Sequence, residues 1–278
     1  MSFSNEVRNE LARVIPEKDC CCKAELLGLL KQGASLVYDG DVPTLLKVQA
    51  INAATARKIF RLMKESFGLQ CTVDIRNRKN FFKFKVYEIN TDLLKNDNLS
   101  ILQELQLLKS NNNKWNLNTE FSGKTCCKRA YLRGIFLSRG FINRPEGEYH
   151  LEIVFNDGKL AAQVQKILSR FDIPIRSFIR KNNIVLYLKE SEKISDFLRV
   201  VGANRALLNF ENARILKSMR NTVNRQVNCE TANLAKTIEA SVRQIDLIKR
   251  AMKKEGWKSL SPQLKELALL RVNYPAYS

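Results

Sequence analysis

Two stretches of the chain repeat one hydrophobic pattern. AELLGLLKQGASL (residues 24–36) and AYLRGIFLSRGFI (residues 130–142) are apolar helical runs, each interrupted by a single glycine, Gly28 or Gly134. Leu26, Leu27, Leu29 and Leu30 surround the first glycine, and Leu132, Ile135, Phe136 and Leu137 the second. A helix that is apolar nearly all round is a buried helix. A mid-helix glycine costs about 1 kcal/mol against alanine. Two of them in one register therefore predict a packing reason, namely two helices that approach closely where both lack side chains.

Setting Gly28 on Gly134 also sets Cys20 on Cys126, Ala24 on Ala130 and Leu26 on Leu132, and the downstream patterns follow in the same order. Strand patterns occupy 44–51 and 148–155. Amphipathic helices come next, with Ala56, Ile59, Phe60, Met63 and Phe67 on one face in the first half and Leu160, Val164, Ile167, Leu168 and Phe171 in the second. Strands are predicted at 70–78 and 173–181, with hairpin partners at 81–89 and 183–190. Asn77 to Asn80 and Asn182 to Asn183 suit the turns. Helices at 92–108 and 191–201 end the halves. Each half reads αββαββα, which predicts an α+β class with antiparallel sheets. The period, about a hundred residues, is too long for a solenoid and indicates a duplicated domain. The expected organisation is a domain over 1–202, with halves 1–109 and 124–202 joined by a polar, Asn-rich linker at 110–123. A second, helical domain covers 203–278.

In that second part the pattern is helical from 203 to 258. A final helix at 263–272 is capped by Ser261 with Pro262 at its first position. No apolar run reaches the length of a membrane span, and the charged N-terminus does not read as a signal peptide. A cytoplasmic protein without membrane contact is expected.

Charge adds a partner. The chain carries 47 Lys plus Arg against 28 Asp plus Glu, a formal net charge of +19. A surplus of this size points to a polyanion, most often nucleic acid. The seven cysteines are odd in number, lack any C-x-x-C spacing and sit mostly side by side. They make a poor disulfide framework. Cys20, Cys21, Cys126 and Cys127 fall at helix starts, where thiol pKa is lowered. Structural zinc prefers spaced pairs, however, and adjacent cysteines are expected to point apart, so small half-buried thiols, no metal and no cofactor are expected. His150 is the one histidine. No Ser-His or Cys-His nucleophile system can be assembled from it, and it reads as a strand residue.

The two glycine helices resemble the LAGLIDADG motif of homing endonucleases, loosely, at Leu26 to Ala34 and Leu132 to Gly140. In that family the motif helices form a pseudo-twofold interface, and an acid near each C-terminal end binds the catalytic metal. The matching positions here are Gly33 and Arg139. Gly33 offers no ligand, and Arg139 puts a positive charge where a cation needing oxygen ligands would sit. Asp39, Asp41, Glu146 and Glu148 lie further on, in loops. The catalytic set is therefore degenerate, and no enzyme is expected.

A closer resemblance covers nearly the whole chain. SFSNEVRNELA, CCCKAELLGLL, CCKRAYLRGIFLSRGFI, ALLNFENARI and above all NCETANLAKT (residues 228–237) are similar to the WhiA family of bacterial regulators. The resemblance implies a degenerate LAGLIDADG domain forming a β-saddle, and a C-terminal helix-turn-helix. It also implies double-stranded DNA as partner, and roles in transcription, cell division and chromosome segregation. The family continues beyond the segment matching LSPQLKELALLRVNYPAYS, so a truncated helix-turn-helix is expected. Trp257, Arg271, Tyr274 and Tyr277 are expected to pack on the basic helices.

On this reading the sheet supplies phosphate contacts through Arg76, Arg78, Lys83, Lys85, Arg176 and Arg180, which alternate with Val73, Ile75, Phe82, Phe84, Val86 and their counterparts. Arg220, Arg225, Arg243, Lys249, Arg250, Lys253 and Lys254 do so on the helical segment. Such contacts give affinity rather than sequence choice. The internal duplication supplies a pseudo-dimer within one chain, so a monomer on the nucleoid is expected, with a regulatory protein partner compatible with the same surfaces. The alternatives are a protein-interaction scaffold, an RNA-binding protein on this fold, and a surviving endonuclease.

Overall fold

The computed structural model describes residues 2–78, 84–105, 107–111, 114–117, 121 and 123–275. After a leading helix α1 (Phe3–Arg13), the first half runs α2 (Asp19–Gly33), β1 (Ala34–Asp39), β2 (Val42–Ala50), α3 (Ala53–Arg61), β3 (Thr72–Arg78), β4 (Phe84–Asp92) and α4 (Asn98–Glu104). A short hairpin, β5 (Leu108–Asn111) and β6 (Lys114–Leu117), falls where a plain linker was expected. The second half runs α5 (Thr125–Arg139), β7 (Gly140–Ile142), β8 (Leu151–Phe155), α6 (Gly158–Ser169), β9 (Arg176–Arg180), β10 (Asn183–Leu188) and α7 (Ser191–Val201). The αββαββα order of both halves is that of the sequence pattern.

Each half builds one four-stranded antiparallel sheet, ordered β1-β2-β4-β3 and β7-β8-β10-β9. Alternation sets the faces. Leu46, Val48 and Ala50 of β2, and Leu151, Ile153 and Phe155 of β8, are buried against the helices. The helices that follow these strands start alike. Asn52 accepts a hydrogen bond from the Thr55 amide at 2.8 Å, and Asp157 one from the Lys159 amide at 2.9 Å. Such caps satisfy amides that have no partner within the helix. The predicted turn at Asn77 to Asn80 falls largely outside the described residues, as does Phe82.

The core centres on α2 and α5, which pack along each other. Leu26, Leu29 and Leu30, and Leu132, Ile135, Phe136 and Leu137, are fully buried. A Cβ on Gly28 would stand 2.5 Å from the Tyr131 carbonyl oxygen and 3.1 Å from the Ile135 nitrogen. One on Gly134 would overlap the Glu25 carbonyl oxygen and stand 3.0 Å from the Leu29 nitrogen. Backbone meets backbone at both positions, so only glycine fits.

The compact units are Met1–Arg214 and Ile215–Ser278, a boundary further along than Gly202. Helix α8 (Asn204–Met252) crosses it. Its first turns belong to the first unit because Ala206 and Phe210 are buried there, Phe210 beside Phe3 and Tyr149. Glu10 of α1 caps α8, its carboxylate accepting from the Arg205 and Ala206 amides at 2.7 and 2.9 Å. In the second unit α8 is followed by a 3₁₀ turn (Glu255–Trp257) and α9 (Pro262–Asn273). Ser261 caps α9 by accepting from the Leu264 amide, with Pro262 in the first turn. Among the described residues no helix is long and apolar enough to cross a membrane.

Candidate nucleic-acid interface

The C-terminal ends of α2 and α5 hold Gly33 and Arg139, the positions that the motif resemblance aligns with acids. A Cβ on Gly33 would lie 2.8 Å from the Gln49 carbonyl oxygen, so β2 closes the space an acidic side chain would need. Arg139 is exposed at the end of α5. Asp39 stands at the far end of β1, six residues of strand and roughly 20 Å from Gly33. Asp41, Glu146 and Glu148 are exposed in turns and loops.

Strand register places the sheet candidates. Arg176 pairs with Tyr187 and Arg180 with Asn183, on the face away from the helices that also holds Phe178 and Glu152. Arg76, opposite Val86, lies on the corresponding face of the first sheet. Lys85 pairs with Asn77, one position out of step, and so faces the other way from Arg76. The expected set is thus divided, because a strand period of two separates neighbours that sequence proximity groups together. Lys83 and the Arg78 side chain fall outside the described residues.

The faces are also less basic than the sequence suggests. Arg76 Nε lies 3.0 Å from the Glu88 carboxylate, and Arg180 reaches both Glu152 oxygens at 3.0 and 3.3 Å. Burial raises the Glu152 pKa, but hydrogen bonds from Arg180 and His150 outweigh it and hold the carboxyl below its ordinary value. Register adds Lys47 to the first sheet's face, and also Asp74 and Asp92. The described part of that face is mixed in sign. The second is more basic, with Arg176 and Arg180 against Glu152. Sequence reading missed these carboxylates because their cross-strand partners are far away along the chain.

The long helix keeps its charges in water. Arg220, Arg225, Arg243, Lys249, Arg250, Lys253 and Lys254 are all exposed. At 100° per residue Arg225 and Arg243 share one azimuth and Arg250 falls within about 20° of it, while Arg220 and Lys249 form a second row. Arg243 also pairs with Glu239 at 2.7 Å, an exposed contact that contributes little. In the second unit Leu247 and Ile248 of α8, Leu264, Leu267 and Arg271 of α9, and Tyr274 just after it line an open groove. Trp257 is half-buried. Tyr277 lies outside the described residues.

Two further clusters were not legible in the sequence. Glu25 is fully buried and pairs with the equally buried Lys58 of α3 and with Arg133 of α5, whose Nε and Nη2 donate at 2.9 and 2.8 Å. Lys58 also donates to the Leu11 and Val14 carbonyls. Burial pulls its pKa down to about 8, against the opposing pull of Glu25. The one sequence signal was a glutamate inside an apolar helix. The second cluster overturns an expectation. The Sγ atoms of Cys20, Cys21, Cys126 and Cys127 do not diverge but lie within 4.8 Å of one another. Burial raises the Cys21 and Cys127 thiols, so the helix N-terminus does not prevail there. The exposed Cys126 thiol is lowered, chiefly by its hydrogen bond with Cys21.

The model of the WhiA N-terminal LAGLIDADG-like domain matches residues 19–108, that of the WhiA LAGLIDADG-like domain residues 128–220, and that of the WhiA C-terminal HTH domain residues 223–278. A probable cell division protein WhiA from Syntrophomonas wolfei is 57% identical over 277 residues, covering 99% of this chain and 88% of the relative. The chain belongs to the WhiA family. A second WhiA relative, from Heliobacterium modesticaldum, is 44% identical over 276 residues, covering 99% of this chain and 86% of its own. The crystal structure of full-length DUF199/WhiA from Thermatoga maritima superposes with a TM-score of 0.67 at 25% identity, covering 100% of this chain and 89% of that one. The two αββαββα halves are therefore the paired LAGLIDADG-like domains of a WhiA protein, and the helices after residue 222 are its HTH segment.

Proposed function

We propose that the protein is a non-enzymatic, DNA-binding regulator that acts in bacterial transcription, cell division and chromosome segregation. The match of residues 223–278 to a WhiA HTH domain carries this reading. It agrees with the net charge of +19 and with the exposed row Arg225, Arg243 and Arg250. The name of the relatives, probable cell division protein, supplies the process. The protein works in the cytoplasm, on the nucleoid, as a monomer whose duplicated halves replace a dimer.

Affinity comes from the basic side of α8, including Arg220, Lys249, Lys253 and Lys254, and secondarily from Arg176 and Arg180. The mixed face of the first sheet, with Arg76, contributes less. Cleavage is absent because the position of Gly33 has no space for a carboxylate and that of Arg139 holds the opposite charge.

Electrophoretic shifts across a salt series test the proposal. Binding to duplex DNA should weaken linearly in log–log form, by a slope of about 0.9 per phosphate contacted. Reversing Arg225, Arg243 and Arg250 to Glu should reduce both affinity and slope. No binding at low salt, or affinity indifferent to salt, overturns DNA binding. Magnesium-dependent nicking that disappears in Asp39→Asn overturns the non-enzymatic part.

A further inference from the structure

Four cysteines at the starts of the motif helices have no part in DNA binding as proposed. Cys20 and Cys21 are the second and third residues of α2, and Cys126 and Cys127 those of α5. On one helix, neighbouring side chains diverge by about 100°. Here two helices run in the same direction and touch through Gly28 and Gly134, so their first turns meet and each adjacent pair closes on the other. Cys21 and Cys127 Sγ are 4.0 Å apart, and so are Cys126 and Cys127 Sγ. With Zn–S bonds of about 2.3 Å, the edge of a tetrahedral ZnS₄ unit is about 3.8 Å. All four thiols stand close to that spacing before any rearrangement.

We propose that Cys20, Cys21, Cys126 and Cys127 bind one zinc(II) ion as a tetrathiolate that ties the two LAGLIDADG-like halves together at the opposite end of the helix pair from Gly33 and Arg139. Ligand chemistry selects the metal, since four sulfurs in tetrahedral array suit zinc, whereas hard cations require oxygen. The compact set suits a single ion; a two-iron cluster would spread its ligand pairs across two metals. Each thiol loses its proton on binding, so four protons leave and the site keeps two negative charges. The N-termini of α2 and α5 face those charges with about half a positive charge each, and Lys18 acts on Cys126 from nearby. Cys20 and Cys126 are exposed, so an ion can reach the site, while Cys21 and Cys127 are buried beneath them. Cys22 is turned aside, its thiol donating to the Pro16 carbonyl at 3.2 Å.

The test is metal analysis and native mass spectrometry of the full chain, purified without an affinity tag and equilibrated with equimolar zinc, followed by cobalt(II) replacement. The result expected is about one zinc per chain and a cobalt form with thiolate charge-transfer and tetrahedral d–d absorption. Cys20→Ser and Cys126→Ser should each weaken cobalt binding by at least about tenfold, while Cys71→Ser and Cys229→Ser leave it unchanged. Both ligand variants replace exposed thiols, and circular dichroism will show whether the fold is intact. A metal-free wild type, zinc retained in the double variant Cys20→Ser/Cys126→Ser, iron with acid-labile sulfide, or a Cys21–Cys127 disulfide would each overturn the proposal.

Discussion

The cluster around Glu25 and the cluster around Tyr131 occupy matching places in the two halves. The register that sets Gly28 on Gly134 sets Glu25 on Tyr131, and the matched caps Asn52 and Asp157 set Lys58 on Gln163. In the first cluster the buried carboxylate of Glu25 meets the ammonium of Lys58 from its own half and the guanidinium of Arg133 from the other. In the second cluster a neutral phenol donates to the Gln163 amide oxygen at 3.2 Å, and half-buried Lys31 of the first half donates to both groups at 3.1 Å. Burial pushes the Tyr131 pKa well up, so the phenol stays neutral. Duplication preserved the geometry of the contact but not its chemistry. A buried charge without its partner is far more costly than a buried hydroxyl without one, so dependence on single residues should be lopsided.

Four measurements break or sharpen that comparison. The symmetric element comes first: Gly28→Val and Gly134→Val each force backbone apart on the shared axis, and either should cost at least about 3 kcal/mol by overpacking. The double variant should fail to accumulate as soluble folded protein. Equal loss in the two single variants would show that the axis itself is symmetric. Next, Glu25→Gln leaves Lys58 and Arg133 buried against a neutral group and should cost about 3–5 kcal/mol in urea unfolding. A loss near zero would mean that the cations find water.

The third measurement follows pH. Lys58 holds its proton less tightly in the folded chain, at about 8, than at the ordinary lysine value of 10.5. Between those values the unfolded chain binds more protons, so this group's contribution to stability rises with pH. Relative to Lys58→Met, the wild type should therefore gain up to about 3 kcal/mol from pH 8 to 10.5. Comparison with the variant is needed because Cys21, Cys22, Cys71 and Cys127, all raised by burial, pull the other way in both proteins. A difference independent of pH would mean that Lys58 is not depressed. Last, Tyr131→Phe removes one buried hydroxyl and should cost only about 1 kcal/mol. If it equals Glu25→Gln, the two clusters are energetically alike despite their chemistry.

Much of the fold was legible because it is written in local periodicity. The paired glycines, the order of strands and helices in each half, helix α7 and the Ser261–Pro262 start of α9 all follow from patterns within a few residues of one another. Of the candidate site the sequence displays residue identities, such as Gly33 and Arg139 at the ends of α2 and α5, but not the partners of its charges. The Glu152 partner of Arg180 is visible only once β8, β10 and β9 are aligned. Lys85 reads as a neighbour of Arg76 until register puts it on the other face.

By itself, the amino-acid sequence determined the duplication, the buried glycine helices, the surplus of positive charge and the residues at the motif-helix ends, Gly33 and Arg139. Each depends on residue type and short-range spacing, which the chain carries without folding. Tertiary structure decided which charges are neutralised across strands, that a glutamate inside an apolar helix sits between two cations, and that two separated Cys-Cys pairs converge within 4.8 Å. The strand pairs follow from sheet register, whereas Glu25 with Arg133 and Cys21 with Cys127 stand about a hundred positions apart and meet only because α2 packs closely on α5.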